Sequence, residues 1–439
     1  MKNSIGVFLL LISVGVFAQS PTMDLPTLLE KAVANNLQIQ LQQQVYLQAE
    51  AAVNKGNAGQ GLTIDALGGA SYSNGFTDLT IRTFQPNPPE VKISEGGVQS
   101  ISANAGVEAG LVLYDGQAGK LRFQILESVS AIQRQNVELQ INQLAFQLLD
   151  LYAELLKLQQ QDRLLLENEN LIKARLEKIQ DRIDFGKASQ LDLLQGQTSL
   201  NLINSQRSDL ELARLNLMVE LADLVNEPID PDTEFADLLV NPLDLSPEEL
   251  RDRIASNNPQ MQLNDLSYKT TDLEEQLTKA NRRPVVNSFA SVNYLYQNND
   301  LQQLAQLQNV NGLVGVNIRY NLFDNGRHKS ALQQAQITKD ISRKEKDILL
   351  NRLLVDAQKA KLQIQNSQQQ LELEQLNTQT YTANYEQVKS NWQSGKLPEI
   401  SLREAELALI NSAIKQANVK IDQQRAYAQL LLLTGDLIE

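Results

Sequence analysis

Carboxylates are the reactive side chains that this chain of 439 residues carries in number: 52 Asp and Glu stand against 39 Lys and Arg, with one His and no Cys. Without Cys there is no thiolate nucleophile, no disulfide and no thiolate metal site, and the solitary His328 has no second imidazole to share a metal or a relay. Thioether ligation of a soft metal is equally thin, because Met1, Met23, Met218 and Met261 are the only methionines. Carboxylate pairs occur along every helical stretch, but acid–base catalysis needs a cleft that desolvates one partner, and no pattern here implies one. No Gly-rich phosphate loop is present, so any energy must come from a partner. A formal charge of −13 argues against binding nucleic acid, which needs a basic face. The expectation is a protein that is not an enzyme, with no catalytic residue, cofactor or metal.

One group of carboxylates stands apart by position. Asp181, Asp184 and Asp192 surround Gly186. In an oligomer, inward-facing copies would form a ring that draws cations and repels anions, as charged channel constrictions do. A solvated helix face is the plain alternative. The elements that carry these residues are long. Lys120–Phe185 runs 66 residues, and Arg327–Ser394 runs 68, without Gly or Pro. At 1.5 Å per residue each is a helix of roughly 100 Å. Apolar positions such as Leu144, Leu148, Leu151, Tyr152, Leu155 and Leu156 recur at three- and four-residue steps, so the helices pack along their length.

The chain also repeats itself. Leu113-Tyr114-Asp115 matches Leu322-Phe323-Asp324, Gly186-Lys187 matches Gly395-Lys396, and Leu224 matches Leu433, all 209 positions apart. Upstream, Ala34-Asn35-Asn36 matches Ser256-Asn257-Asn258 and Tyr72 matches Tyr294, both 222 apart. The difference of 13 places an insertion in the first half, in Phe76–Gly97, where Pro86, Pro88 and Pro89 predict an exposed loop. Each half reads as a moderate helix, a strand pair, a long helix, a Gly turn and another moderate helix. The moderate helices are predicted over Thr27–Asn57, Lys187–Glu227, Ser246–Arg283 and Glu399–Thr434, two stacked beside each long one. Met1–Ala18 has a Lys2 start, an apolar run Ile5–Phe17 and a small residue at the end, which predicts a secretory leader cut after Ala18. With no Cys, no lipidated residue can begin the mature protein. The predicted organisation is a signal peptide over residues 1–18, a first repeat over 19–227, a Pro-rich linker over 228–245 and a second repeat over 246–439.

The strand pairs alternate. Leu62, Ile64, Ala66, Ala70 and Tyr72 share one face, and Thr63, Asp65 and Ser71 the other. Ile101, Ala103, Ala105, Val107, Ala109, Leu111 and Leu113 alternate with Ser102, Asn104 and Glu108; Val286, Ala290, Val292, Tyr294 and Tyr296 do so with Asn287, Ser291 and Asn293. Val314, Val316, Ile318, Tyr320 and Leu322 alternate with Asn317, Arg319 and Asn321. Strands of about ten residues, apolar out and polar in, are the signature of a membrane barrel. A half-buried sheet in a soluble protein shares that alternation. Export and the Tyr and Phe near strand ends favour the membrane, and Glu108 and Arg319 then face a lumen. Four strands cannot close around water, so copies must supply the rest, and three copies give twelve strands.

With these elements in order, the chain resembles the TolC-like outer-membrane efflux proteins over essentially its whole mature length. The resemblance is carried by the strand-to-helix turns Leu113-Tyr114-Asp115-Gly116 and Leu322-Phe323-Asp324-Asn325-Gly326-Arg327, and by the helix tips Phe185-Gly186-Lys187-Ala188-Ser189-Gln190-Leu191-Asp192-Leu193-Leu194 and Ser394-Gly395-Lys396-Leu397-Pro398-Glu399-Ile400. It implies a homotrimer, mainly α with a small β part, that combines a periplasmic tunnel of long antiparallel helices with a 12-strand outer-membrane barrel. It also implies a periplasmic adaptor, an inner-membrane pump of antiporter or ATP-driven type, and passive conduction of drugs, hard cations or proteins in efflux or type I secretion. Gly186, Lys187, Ser189, Asp192, Gly395, Lys396 and Glu399 are the implied docking residues at the tip, although helix capping alone would also explain Ser189 and Glu399. Asp181 and Asp184 are the candidate constriction charges, and Trp392 the candidate packing residue of the second tip. A trimeric coiled-coil stalk or adhesin is the competing architecture, and the paired moderate helices and duplicated turns argue against it.

Overall fold

The computed structural model describes residues 22–82, 90–186, 188–241, 245–300 and 306–435. The leader, Pro86, Pro88, Pro89, Lys187 and Pro242 lie outside the described residues. In chain order the first half contains β1 (Thr22–Met23), α1 (Leu25–Asn35), α2 (Leu37–Ala51), β2 (Leu62–Arg82), β3 (Glu90–Tyr114), α3 (Ala118–Asp184) and α4 (Gln190–Val225). Then come β4 (Glu234–Phe235), α5 (Pro247–Asn257), α6 (Pro259–Ala280), β5 (Val285–Asn299), β6 (Gln306–Arg319), α7 (Arg327–Gln393) and α8 (Glu399–Thr434). The duplication survives as equal lengths: α3 and α7 have 67 residues each, α4 and α8 have 36 each, and α1 and α5 have 11 each. Two compact units result, one of Val45–Arg134 with Leu263–Lys346 and the other of the remaining described chain.

The moderate helices expected over Thr27–Asn57 and Ser246–Arg283 are each broken, and the same device breaks both. At Asn36 the side-chain Oδ1 accepts from the backbone N–H of Gln38 (2.9 Å) and Ile39 (3.2 Å), while Nδ2 donates to the Leu224 carbonyl at 2.8 Å. At Asn258 the Oδ1 accepts from Gln260 (2.9 Å) and Met261 (3.4 Å), and Nδ2 donates to the Leu433 carbonyl at 3.0 Å. Each Asn thus ends one helix, starts the next and ties the joint to the last turn of α4 or α8.

The linker is tied down too. β4 pairs in parallel with β1, and the hydroxyl of Tyr152 donates to the carbonyls of Met23 (3.1 Å) and Ala236 (2.5 Å). Phe235 is buried edge-on against the Tyr152 ring, with centroids 5.5 Å apart. Elsewhere in this unit, Leu250, Ile254 and Met261 pack with Leu353, Ala357, Ala426 and Leu430, holding α5 and the start of α6 on α7 and α8. No helix among the described residues is long and apolar enough to cross a membrane.

The other unit holds an antiparallel sheet of order β2-β3-β5-β6. Its strands have 21, 25, 15 and 14 residues, longer than the ten expected. The insertion is not simply a loop. Thr77 pairs with Glu95 and Thr80 with Lys92, so much of Phe76–Gly97 lengthens the arms of the β2–β3 hairpin beyond a bulge at Gly75/Thr77. A second bulge at Val112/Tyr114 takes Leu113 out of the alternation and pairs Tyr114 with Val286. Tyr320 and Leu322 follow the end of β6 and so lie outside its alternation.

Candidate functional site

The register settles which residues share a face. Ile64, Ala109, Ala290 and Val314 lie in one row, and Gly68, Ala105, Tyr294 and Val310 in another. On the opposite face Asp65 lies beside Glu108 and Ser291, and Gly69 beside Asn104. The central rows of the apolar face read from sequence therefore run across four strands, and among the described residues β2 and β6 are edges with no partner strand. Both faces of β6 are almost wholly exposed.

Each strand pair feeds its long helix through the predicted turn. Gly116 and Gly326 adopt positive φ (69° and 82°), where a side chain would be strained. Asp115 accepts from the Gly119 N–H (2.5 Å) and from Arg122 Nη2 (3.1 Å), which caps α3. Asp324 does the same for α7, accepting from the N–H groups of Gly326 (3.1 Å) and His328 (2.9 Å).

At the far ends of the long helices, in the other unit, Gly186 (φ 66°) and Gly395 (φ 75°) reverse the chain as expected. Their N–H groups donate to Ile183 and Trp392 carbonyls at 2.8 and 2.9 Å. Asp181, Asp184, Ser189 and Lys396 are exposed around these turns. Ser189 and Asp192 form a reciprocal capping box: Asp192 Oδ2 accepts from the Ser189 N–H and hydroxyl at 2.8 Å each, and Ser189 Oγ accepts from the Asp192 N–H at 3.3 Å.

Glu399 departs from the expectation of a partner-facing residue. It is 3% exposed, and its Oε1 lies 3.0 Å from Arg175 Nε of α3. Arg175, itself 6% exposed, donates from Nη1 to Glu406 Oε2 at 2.6 Å. One guanidinium thus bridges two carboxylates seven residues apart on α8. Burial pushes the Glu399 carboxyl up to about 7, the Arg175 charge opposing and the Glu406 and Asp192 charges adding to the rise. Burial likewise raises Glu406, against Arg175 and Lys389. Beside this trio, Ile179, Tyr385, Trp392, Leu402 and Ala405 form an apolar core, and the Arg182 guanidinium stacks 5.3 Å from the Trp392 ring centre. Trp392 therefore packs the second tip, as its position suggested. Sequence reasoning missed Arg175 and Glu406. The only signal was Glu399 and Glu406 two turns apart, a spacing that puts both on one helix face.

Along α7 a further pattern is left uncovered. Ile341, Ile348, Val355, Leu362 and Leu376 are exposed, at steps of seven with Gln369 filling the one gap.

The model of the outer membrane efflux protein family matches residues 28–227 and 250–436. No match is found among curated proteins. Among solved structures the chain is similar to CusC, the subject of a study of conformational changes accompanying folding and transmembrane channel formation, at 14% identity and a TM-score of 0.74, covering 96% of this chain and 95% of that one. It is similar to the outer membrane protein VceC from the bacterial pathogen Vibrio cholerae at 15% identity and a TM-score of 0.72, over 94% and 97% of the two chains. The CmeC outer membrane channel of Campylobacter jejuni gives 15% identity and a TM-score of 0.70, over 94% and 86%.

Proposed function

The chain belongs to the outer membrane efflux protein family, and from that premise we propose how its own residues build the outer-membrane exit duct that such a protein supplies. Family channels are trimeric and work with periplasmic adaptors and inner-membrane pumps. The observation that carries the reading is the sheet: four strands, apolar rows that cross all four on one face, and two edges without a partner strand among the described residues. Three copies joined β6 to β2 make a twelve-strand barrel, which leaves no unpaired backbone in lipid. The apolar face turns to lipid, and Asp65, Glu108, Asn104 and Arg319 turn to a watery lumen. The exposed seven-residue repeat on α7 then meets a neighbouring copy, as a stripe of that period does in coiled helices. A stalk or adhesin would need no such sheet.

Gly186, Lys187, Ser189 and Asp192, with Gly395 and Lys396, present the turns to the adaptor. Glu399 acts behind them, holding α8 in place. Asp181 and Asp184 ring the entrance and favour cations. Cargo is selected by the pump, of antiporter or ATP-driven type, and the duct conducts passively.

Purified protein reconstituted in a planar bilayer should give cation-selective channels, and Asp181→Asn with Asp184→Asn should reduce that selectivity. Absence of any channel would sink the duct, and unchanged selectivity would return both Asp residues to a solvated face. Gly186→Trp meets no atom within 4 Å of its Cβ in one copy. Trimers of that variant should assemble but fail to export. Normal export would end the docking role.

A further inference from the structure

Apolar surface does not stop where β6 does. Val314, Val316 and Ile318 stand on the apolar face of the strand, and just past its end Leu322 and Phe323 are 87% and 82% exposed. Large apolar side chains at the end of a membrane strand belong to the boundary between hydrocarbon and water. The chain then turns into α7 and its character reverses, with Arg327, His328 and Lys329 in succession.

A cavity of about 570 Å³ opens at this turn, and Arg282, Arg327, His328 and Lys329 line it together with Leu322 and Asp324. Arg282, Arg327 and Lys329 are exposed, and none of them makes an ion pair among the described residues. Asp324 is the one carboxylate in the described lining, and its oxygens accept from the Gly326 and His328 N–H groups. It therefore caps α7 and occupies the helix end, and the excess positive charge of the cavity is carried by side chains.

The first half has no such cluster. Moved by 209, Arg327 and His328 fall on Ala118 and Gly119, and moved by 222, Arg282 falls on Gln60; only Lys329 keeps a cationic counterpart, Lys120. The nearby Arg122 is spent on Asp115, 3.1 Å away. Neighbouring copies do not supply the missing negative charge either. In the ring proposed above β6 joins the next copy's β2, and residues 51–64, which lead into and begin that strand, contain Lys55 and no carboxylate. A negative group that resides at the edge of hydrocarbon is the headgroup of an anionic phospholipid, and basic clusters beside a membrane surface attract such lipids.

We propose that the cavity at the Asp324–Lys329 turn binds the phosphate-bearing headgroup of an anionic phospholipid from the leaflet that faces the helices. Arg282, Arg327 and Lys329 recognise the phosphate, and Leu322 lies against the start of the acyl chains. The inference rests on the membrane barrel proposed above and places one lipid on each protomer, beside the joint between β6 and the next copy. Since the chain has no Cys to carry a lipid covalently, these bound lipids hold the barrel at its depth in the leaflet.

Native mass spectrometry of the full chain in detergent, titrated with dioleoyl phosphatidylglycerol or with dioleoyl phosphatidylcholine, reads oligomer and lipid count from the same peaks. Trimers should retain up to three phosphatidylglycerols in preference to phosphatidylcholine. Arg282→Gln, Arg327→Gln and Lys329→Gln should each weaken that retention about fivefold, Arg327→Lys should largely preserve it, and Lys120→Gln in the first half should leave it unchanged. Trimers that hold both lipids equally, or that keep phosphatidylglycerol after all three Gln substitutions, overturn the lipid site and leave the barrel standing. Inorganic phosphate in excess should not displace the lipid; displacement would mean a free-anion site and overturn the assignment. Absence of trimers overturns the barrel reading, and the site with it.

Discussion

The two helix tips make the same turn from different materials. Both reverse at a left-handed Gly, yet the first secures its second helix locally, by the Ser189 and Asp192 box, and leaves its polar groups in water. The second begins α8 at Pro398, which makes no side-chain cap bond, and secures the helix at a distance by tying Glu399 to Arg175 on α3. The tie is mutual: it joins α8 to α3, a helix of the first tip, whereas the start of α4 is secured by its own cap.

The largest effect that would sharpen this contrast is Arg175→Met. It leaves Glu399 and Glu406 buried without a cation and should cost about 3–5 kcal/mol, read as a lowered midpoint of thermal unfolding of the helical signal. Asn384→Met, at the exposed position of α7 that lies one repeat distance of 209 after Arg175, should shift stability by no more than about 0.5 kcal/mol. Equal effects would erase the difference between the tips. Next comes pH. A carboxyl raised from 4.5 to about 7 by burial favours folding when protonated, so its contribution is full below pH 4.5 and lost as pH rises through about 7. The trio then gives up the one proton that balances two carboxylates against one guanidinium. The melting temperature of the second tip should therefore fall between pH 6 and 8, and Glu399→Gln should flatten that slope. A slope unaltered by the amide would exclude Glu399 as its source. The smallest effect is Ser189→Ala, which removes a cap worth about 1 kcal/mol and should increase amide exchange in the first turn of α4. Pro398→Ala should leave the start of α8 unchanged, since no cap bond is lost.

The duplication was legible because turns are written in local chemistry: Gly at a left-handed position and Asp two or four residues ahead of the N–H it caps. The faces of the sheet were legible because a period of two needs no knowledge of the partner strand. The joints at Asn36 and Asn258 were visible as matched residues but not as breaks, because the capping that ends one helix and starts the next depends on an Asn side chain turning back onto the backbone. The hairpin arms beyond Tyr72 were obscured because Pro86, Pro88 and Pro89 made the whole of Phe76–Gly97 read as a loop. The trio was not legible, since its three charges come from distant parts of the chain and every helix face here carries others like them.

The unpaired edges of β2 and β6 also set the rule by which the duct is made. A lone copy in lipid would leave two rows of backbone groups without water or partner, and a pair of copies would still leave two. Residence in the bilayer is therefore a census: it admits three and rejects fewer, with no separate device to count them. Where copies lacking β6 are mixed with intact ones, the number of finished ducts should fall with the cube of the intact fraction.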